Sequence, residues 1–236
     1  MIEVDIKKNK NNLENKSALD RILWAHKNFE DGLFMSTSFG IQSAVLLHLV
    51  KQKIPNIPII FIDTGYLFSE TYQFAKKLTD DLKLNIKIYK PLMSSSKQEN
   101  LYGKLWEQGK EGLDRYNRIN KVEPMQRAIK EMNKTGWIAG LRREQSTSRE
   151  HRPVLEHQNN ITKIYPIIDW SDKQIDNYLS ENNLPNHPLR KKGYVSVGDW
   201  HSSTPLESNM KPEETRFNGI KRECGLHLDF DQGGGI

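Results

Sequence analysis

The stretch Leu33-Phe34-Met35-Ser36-Thr37-Ser38-Phe39-Gly40-Ile41-Gln42-Ser43 decides the fold. Three apolar residues form a short strand that runs into a serine- and glycine-rich turn. Ala44-Val45-Leu46-Leu47-His48-Leu49-Val50 then reads as a buried helix. A strand, a small-residue loop and a helix together make an anion cradle: loop amides and the helix N-terminus point at the anion, and serine hydroxyls add donors. Gly40 lets the backbone approach closely. The same pattern also describes an ordinary strand-to-helix turn capped by serine, and in isolation the two readings weigh equally. It is not a Walker loop, because the Gly-Lys-Ser/Thr ending is absent.

Downstream, Ile57 to Ile62 is a nearly all-apolar strand, as expected inside a parallel sheet. It ends in Asp63-Thr64-Gly65, at the strand's carboxyl end, where open α/β sheets bind ligands. Asp63 suits a contact to the ribose or adenine of a nucleotide, or simply the capping of a helix from Phe68 to about Leu82. Asn85 to Tyr89 is a third strand. The β-α-β-α-β alternation predicts a right-handed, mostly parallel, doubly wound α/β sheet.

Pro124 fits the first turn of a helix running to about Met132, and Trp137-Ile138-Ala139-Gly140 is another short buried strand. It opens into Leu141-Arg142-Arg143-Glu144-Gln145-Ser146-Thr147-Ser148-Arg149, with three arginines in eight residues. Guanidinium forks match phosphate and sulfate oxygens. A solvated basic loop is the bland alternative; the position at a strand's carboxyl end favours an anion site. Ile161 to Tyr165 reads as a last strand, ended by Pro166, and Ser171 caps a helix through Ile175, Tyr178 and Leu179. Asn183 to Met210 is long for a structureless connection and is expected to be a functional loop over the site. His187 and His201 within it read as packing or surface residues. At the other end, Met1 to Lys16 is rich in Lys and Asn with weak periodicity and is expected to fray. A helix begins after Ser17. The expected organisation is thus a flexible segment 1–16, an α/β domain 17–210, and a mobile C-terminal segment 211–236 ending in a flexible glycine run.

A formal net charge of +5 favours an anionic ligand. Basic and acidic residues interleave along most of the chain, which argues against a nucleic-acid tail. No long apolar run spans a membrane. The first thirty residues lack a signal peptide's apolar core, so a cytoplasmic protein is expected. The single cysteine excludes an intrachain disulfide, and an iron–sulfur cluster normally takes four thiolates.

That cysteine lies in Lys221-Arg222-Glu223-Cys224-Gly225-Leu226-His227. Neighbouring Lys, Arg or protonated His stabilises a thiolate, the nucleophilic form. The alternative is an inert buried cysteine, and the charged flanks leave the two evenly balanced. A zinc site on Cys224 and His227 lacks two good ligands, so no metal site is expected.

Taken together, Ser-Phe-Gly-Ile-Gln-Ser, Asp-Thr-Gly-Tyr-Leu-Phe, Lys-Val-Glu-Pro-Met, Gly-Leu-Arg-Arg-Glu-Gln-Ser, Tyr-Pro-Ile-Ile-Asp-Trp and Lys-Arg-Glu-Cys-Gly-Leu-His resemble the phosphoadenylyl-sulfate (PAPS) reductase family, from about Phe34 to His227. Six stretches in the right order are specific where each alone is weak. The resemblance implies an adenine-nucleotide α-hydrolase-like fold in which Ser36 to Ser43 is a modified pyrophosphate loop, followed by a C-terminal active-site tail. It implies Cys224 as the catalytic nucleophile. Ser36, Ser38, Phe39, Gly40 and Ser43 of the loop, with Asp63, Thr64 and Gly65 after the next strand, are the expected substrate contacts. Lys121, Arg142, Arg143 and Arg149 would lie in or near the anion site, and Lys221, Arg222 and His227, also expected to bind substrate, would keep the thiolate ionised.

Related adenylyl-sulfate (APS) reductases carry a cysteine pair just before the Lys-Val-x-Pro stretch and another downstream, which hold an iron–sulfur cluster. Here Tyr116 and Asn117 stand at the first pair. The resemblance therefore implies a cluster-free enzyme acting on PAPS. Cys224 would attack the sulfonate sulfur, adenosine 3′,5′-bisphosphate would leave, and reduced thioredoxin or glutaredoxin would release sulfite from the S-sulfonated cysteine. No bound cofactor is required. The alternatives are a cluster-free APS reductase and an adenylating ATP pyrophosphatase. The second is disfavoured because Phe39 and Gln42 replace a glycine and an aspartate of its Ser-Gly-Gly-x-Asp-Ser loop. The lone thiol also allows a redox-dependent homodimer through Cys224, which reductant would dissolve.

Overall fold

The computed structural model describes residues 6–219 and Leu226. Six strands form one sheet: β1 (Leu33–Thr37), β2 (Pro58–Ile62), β3 (Asn85–Tyr89), β4 (Gly136–Ile138), β5 (Leu155–Gln158) and β6 (Ile161–Ile164). Their order across the sheet is β3-β2-β1-β4-β6-β5. All neighbours run parallel except β5, which pairs antiparallel with β6. Strands buried on both faces carry unbroken apolar runs, which is why Leu33, Phe34 and Met35 are all buried and the edge strand β3 is mixed.

Helix α3 (Ser43–Lys53) links β1 to β2, and α4 (Ser69–Leu82) links β2 to β3. The chain then reverses. It passes through α5 (Ser95–Tyr102), α6 (Gly109–Asn117) and α7 (Glu123–Glu131) to reach β4 on the far side of β1. Right-handed crossovers running in opposite directions put their helices on opposite faces, so the sheet is doubly wound as the sequence predicts. The reversal opens a crevice between the carboxyl ends of β1 and β4, the place where such sheets hold ligands. At the centre, Phe34 stacks on Trp137 (centroids 5.5 Å apart), and both are fully buried. Burying a side chain like Phe34 contributes roughly 1.5–3 kcal/mol.

Two local expectations are corrected, and one strand is new. The segment expected to fray through Lys16 instead contains helix α1 (Ile6–Glu14). Leu13 is buried, and Glu14 pairs with Arg143 and accepts a hydrogen bond from the Val154 amide. Strand β5 escapes the sequence reading because Leu155-Glu156-His157-Gln158 has one apolar residue. It forms nonetheless as a hairpin arm, turning through Asn159 and Asn160 at φ 50° and 61°. Residues 211–219, assigned to a mobile tail, are packed: Thr215 and Phe217 are buried, and Ser203 bridges Arg216.

Both expected helix caps form. Ser17 caps helix α2 (Ala18–Phe29) in a capping box with Asp20, and Ser171 caps helix α8 (Asp172–Glu181) in one with Gln174. Among the described residues no helix is long and apolar enough to cross a membrane.

Candidate active site

A cavity of about 290 Å³ occupies the crevice. Its floor is the loop after β1: Ser36, Ser38, Gly40 and Ser43 all line it. No side chain caps α3, so the first turn of this helix faces the cavity with its positive dipole end uncovered. The loop is internally braced. Ser36 Oγ accepts a hydrogen bond from Trp137 Nε1 (2.7 Å), and Ser43 Oγ donates to the Gly40 carbonyl (2.8 Å). Phe39, expected to touch substrate, points instead into the core, edge-on to Phe61. Its φ of 49° is a glycine-like conformation, held by burial of the ring. One side chain thus anchors the loop from below.

The walls come from distant segments. Lys121 sits in a π-turn, Arg118–Val122, between α6 and α7. Pro124 has no amide to donate to the carbonyl four residues back, and its ring crowds that carbonyl, so the helix widens and the Glu123 amide reaches Arg118 instead. Lys121 Nζ lies 2.6 Å from Asp199 Oδ2, and both side chains are buried. Burial alone would raise the Asp199 carboxyl; Lys121 and a hydrogen bond from Thr64 hold it down at about 2. Thr64, expected as a substrate contact, does line the cavity, but its hydroxyl donates to Asp199 (2.5 Å).

Of the three arginines, Arg142 and Arg149 line the cavity and Arg143 does not. The Arg142 guanidinium is buried and clamps three segments. It donates to the Trp170 carbonyl (2.8 Å), to Gln42 (2.5 Å) and to Asp172 (2.5 Å). Gln42 also donates to Asp172 (2.8 Å), so the loop position that is an aspartate in ATP pyrophosphatases is here tied to α8. Arg143 turns away to Glu14 and the Arg152 carbonyl, because residues alternate sides as the chain leaves the strand. Arg149 hydrogen-bonds Gln145 (2.6 Å) at the rim. Asp63 and Gly65 also lie outside the lining. The Asp63 carboxylate takes Tyr72, Lys90 and the Gly65 amide, and Gly65 supplies the left-handed turn (φ 78°).

Three contributors were not singled out from the sequence. Val195 to Asp199 line one wall, from within the long loop expected to cover the site. Arg216 and Phe217 line another; Arg216 donates to the Ser202 carbonyl (3.1 Å) and Ser196 Oγ (3.3 Å). No spacing rule marks these residues, since they meet the site only after the loop folds back. Leu226 also lines the cavity. Lys221, Arg222, Cys224 and His227 lie outside the described residues. His187 and His201 are packing residues, as expected: His187 is buried against Phe74, and His201 stacks on Trp106. The described lining therefore holds four cationic side chains and a single carboxylate, chemistry suited to a polyanion. Among the described residues no cluster of His, Cys, Asp or Glu is placed to hold a metal.

Residues 32–205 match the family model of the phosphoadenosine phosphosulfate reductase domain. The chain is 55% identical over 215 residues to a phosphoadenosine 5′-phosphosulfate reductase of Proteus mirabilis, covering 91% of this chain and 88% of that one. It is 56% identical over 217 residues to one of Vibrio campbellii, covering 92% and 84%. Among solved structures, PAPS reductase from Candida auris in a phosphate complex superposes with a TM-score of 0.75 at 32% identity, covering 86% of this chain and 98% of that chain. An FMN adenylyltransferase of Candida glabrata shares the fold alone, with a TM-score of 0.61 at 16% identity over 90% of this chain and 71% of the other.

Proposed function

The chain belongs to the phosphoadenosine phosphosulfate reductase family, and from that premise we propose how its residues carry the reduction of PAPS to sulfite in sulfate assimilation. The observation that carries the proposal is the crevice itself. It joins the serine loop and the α3 N-terminus to Lys121, Arg149 and Arg216, and it reaches Leu226. Cys224 is two residues from Leu226 along the chain, which limits the separation of their Cα atoms to about 7 Å.

The Cys224 thiolate attacks the sulfur of the sulfonate group. An S–S bond forms, the S–O bond to the 5′-phosphate breaks, and adenosine 3′,5′-bisphosphate leaves with the electron pair on its phosphate oxygen. A thiolate must here approach a polyanion. Loop amides, Lys121, Arg149 and Arg216 offset that repulsion and stabilise charge building on the leaving oxygen. Lys221, Arg222 and His227 flank the cysteine in sequence and keep it ionised.

With no second cysteine in the chain, the sulfonated Cys224 is resolved from outside. A thiolate of reduced thioredoxin or glutaredoxin attacks the Cys224 sulfur and expels sulfite. The partner's second thiol then closes its own disulfide and returns Cys224 as a thiolate. A protein dithiol does not fit a cavity of about 290 Å³, so the sulfonated Cys224 meets its reductant outside the crevice. The enzyme needs no iron–sulfur cluster: such a cluster normally takes four thiolates, and the chain has one cysteine.

The test is intact-mass analysis after incubation with PAPS and no reductant. A sulfonate adduct is expected on the wild type and none on Cys224→Ser, whose affinity for adenosine 3′,5′-bisphosphate stays close to wild type. An unmodified wild-type protein, or turnover surviving the substitution, overturns the route. Comparing sulfite release from PAPS and from APS, with thioredoxin present, checks that the 3′-phosphate is required.

A further inference from the structure

We propose that Asp199 is a positioning residue for the reaction: it aims the Lys121 ammonium at the leaving phosphate before substrate arrives. The inference deepens the reading above and rests on the crevice being the PAPS site.

Lysine carries its charge on a flexible four-carbon stem, and fixing that stem costs side-chain entropy. Here the stem's end is enclosed. Asp199 Oδ2 holds the ammonium at 2.6 Å, and the rings of Tyr116 and Phe217 lie 5.5 and 5.2 Å away. Phe217 and Asp199 line the crevice together with Lys121. The contact is an ion pair, so it fixes the place of the ammonium nitrogen rather than the direction of any one N–H, and the three donors stay available to an anion in the crevice.

Asp199 is itself immobilised. It is fully buried, and its Oδ1 accepts the Thr64 hydroxyl, 135 residues away in sequence. Its backbone carbonyl accepts from the Ser202 amide (3.1 Å) and from the hydroxyls of Ser202 (3.2 Å) and Ser203 (3.0 Å). Leu67 bridges it on the other side. So many constraints on one carboxylate fix the lysine charge at ion-pair distance from a stationary point, as preorganised electrostatic catalysis requires.

The sign of the carboxylate matters as well. It is the single acidic side chain among the described lining residues, and it subtracts from the field that attracts the substrate polyanion. Asp199 therefore weakens ground-state and product binding while holding Lys121 where charge develops. That is the differential binding which raises kcat rather than lowering KM.

The experiment measures kcat for sulfite release with saturating reduced thioredoxin, and the affinity for adenosine 3′,5′-bisphosphate by titration calorimetry. Asp199→Asn is expected to lower kcat fivefold or more, with nucleotide affinity unchanged or tighter. In a Lys121→Met background the same substitution is expected to have no further effect on kcat. A fall of less than fivefold, a fall accompanied by weaker binding, or an undiminished effect without Lys121 overturns the assignment. Should Asp199→Asn not fold, Thr64→Val supplies the arm: at least a twofold loss of kcat with affinity kept, absent in the Lys121→Met background, and anything less overturns it. Because the rate is read as sulfite released, the result holds whichever way the Cys224 adduct test falls. The two proposals fail separately.

Discussion

Lys121 and Arg142 both line the crevice, yet their charges serve different ends. Arg142 is held by Asp172, Gln42 and the Trp170 carbonyl, and so braces the loop from the cavity wall. A planar fork with five donors suits that bracing, where lysine would leave carbonyls unpaired. Arg216 depends on a residue with no side chain at all. A Cβ at Gly198 would lie 2.3 Å from Arg216 Nη2, and the guanidinium is the end that gives way. Gly198→Ala is therefore expected to weaken adenosine 3′,5′-bisphosphate binding several-fold while leaving the thermal midpoint nearly unchanged, with calorimetry and a melting curve as the two readouts. A large drop in the midpoint with unaltered binding would place the glycine's role in packing alone.

Among the elements, α1 and α2 show how a single polar side chain holds helices against a sheet. Arg21 on α2 is fully buried. It donates to the carbonyls of Leu13 (3.0 Å), Glu14 (2.7 Å) and Pro166 (2.9 Å) and pairs with Asp169 (2.7 Å). Buried donors and acceptors left without partners are costly. Arg21→Met is expected to lower stability by on the order of 3 kcal/mol, read from urea unfolding, and to free α1 from the domain. Limited proteolysis near Lys16 would report that release; a variant as resistant as wild type would mean that Leu13 packing alone holds the helix. The α6–α7 region makes the complementary point. Its sequence predicts a helix beginning at Pro124, whereas the helical path is continuous from Gly109 with a π-turn in the middle. That turn re-phases the helix and brings Lys121 round to the crevice.

For the whole molecule, acid sensitivity follows from a buried imidazole. His187 is fully buried, its Nδ1 accepts the Leu189 amide (3.2 Å), and Nε2 meets Thr71 Oγ1 (3.1 Å). Burial pushes it from 6.5 down to about 4, with Glu70 opposing weakly. The unfolded chain then binds a proton that the folded one refuses, so stability is full above about pH 6.5 and declines towards pH 4. The loss is on the order of 3 kcal/mol. Asp199, lowered from 3.8 to about 2, removes a further contribution only as the pH falls from about 4 towards 2. Urea midpoints at pH 7, 5.5 and 4.5 should fall in that order, and the decline should shrink in His187→Gln; a flat profile would contradict it. At this scale the sequence by itself determined the alternation of strands and helices, the serine loop after β1 and the cationic character of the site. Those properties reside in short-range periodicity and in residues adjacent along the chain. The tertiary structure alone decided which charges face the crevice. Arg143 turned to Glu14, Thr64 and Lys121 converged on Asp199, Arg216 folded back beside Ser202, and the polar strand β5 found its place beside β6. Each of these pairings joins segments brought together only by packing, and the direction of a side chain at such a junction is set by its surroundings rather than by its neighbours in sequence.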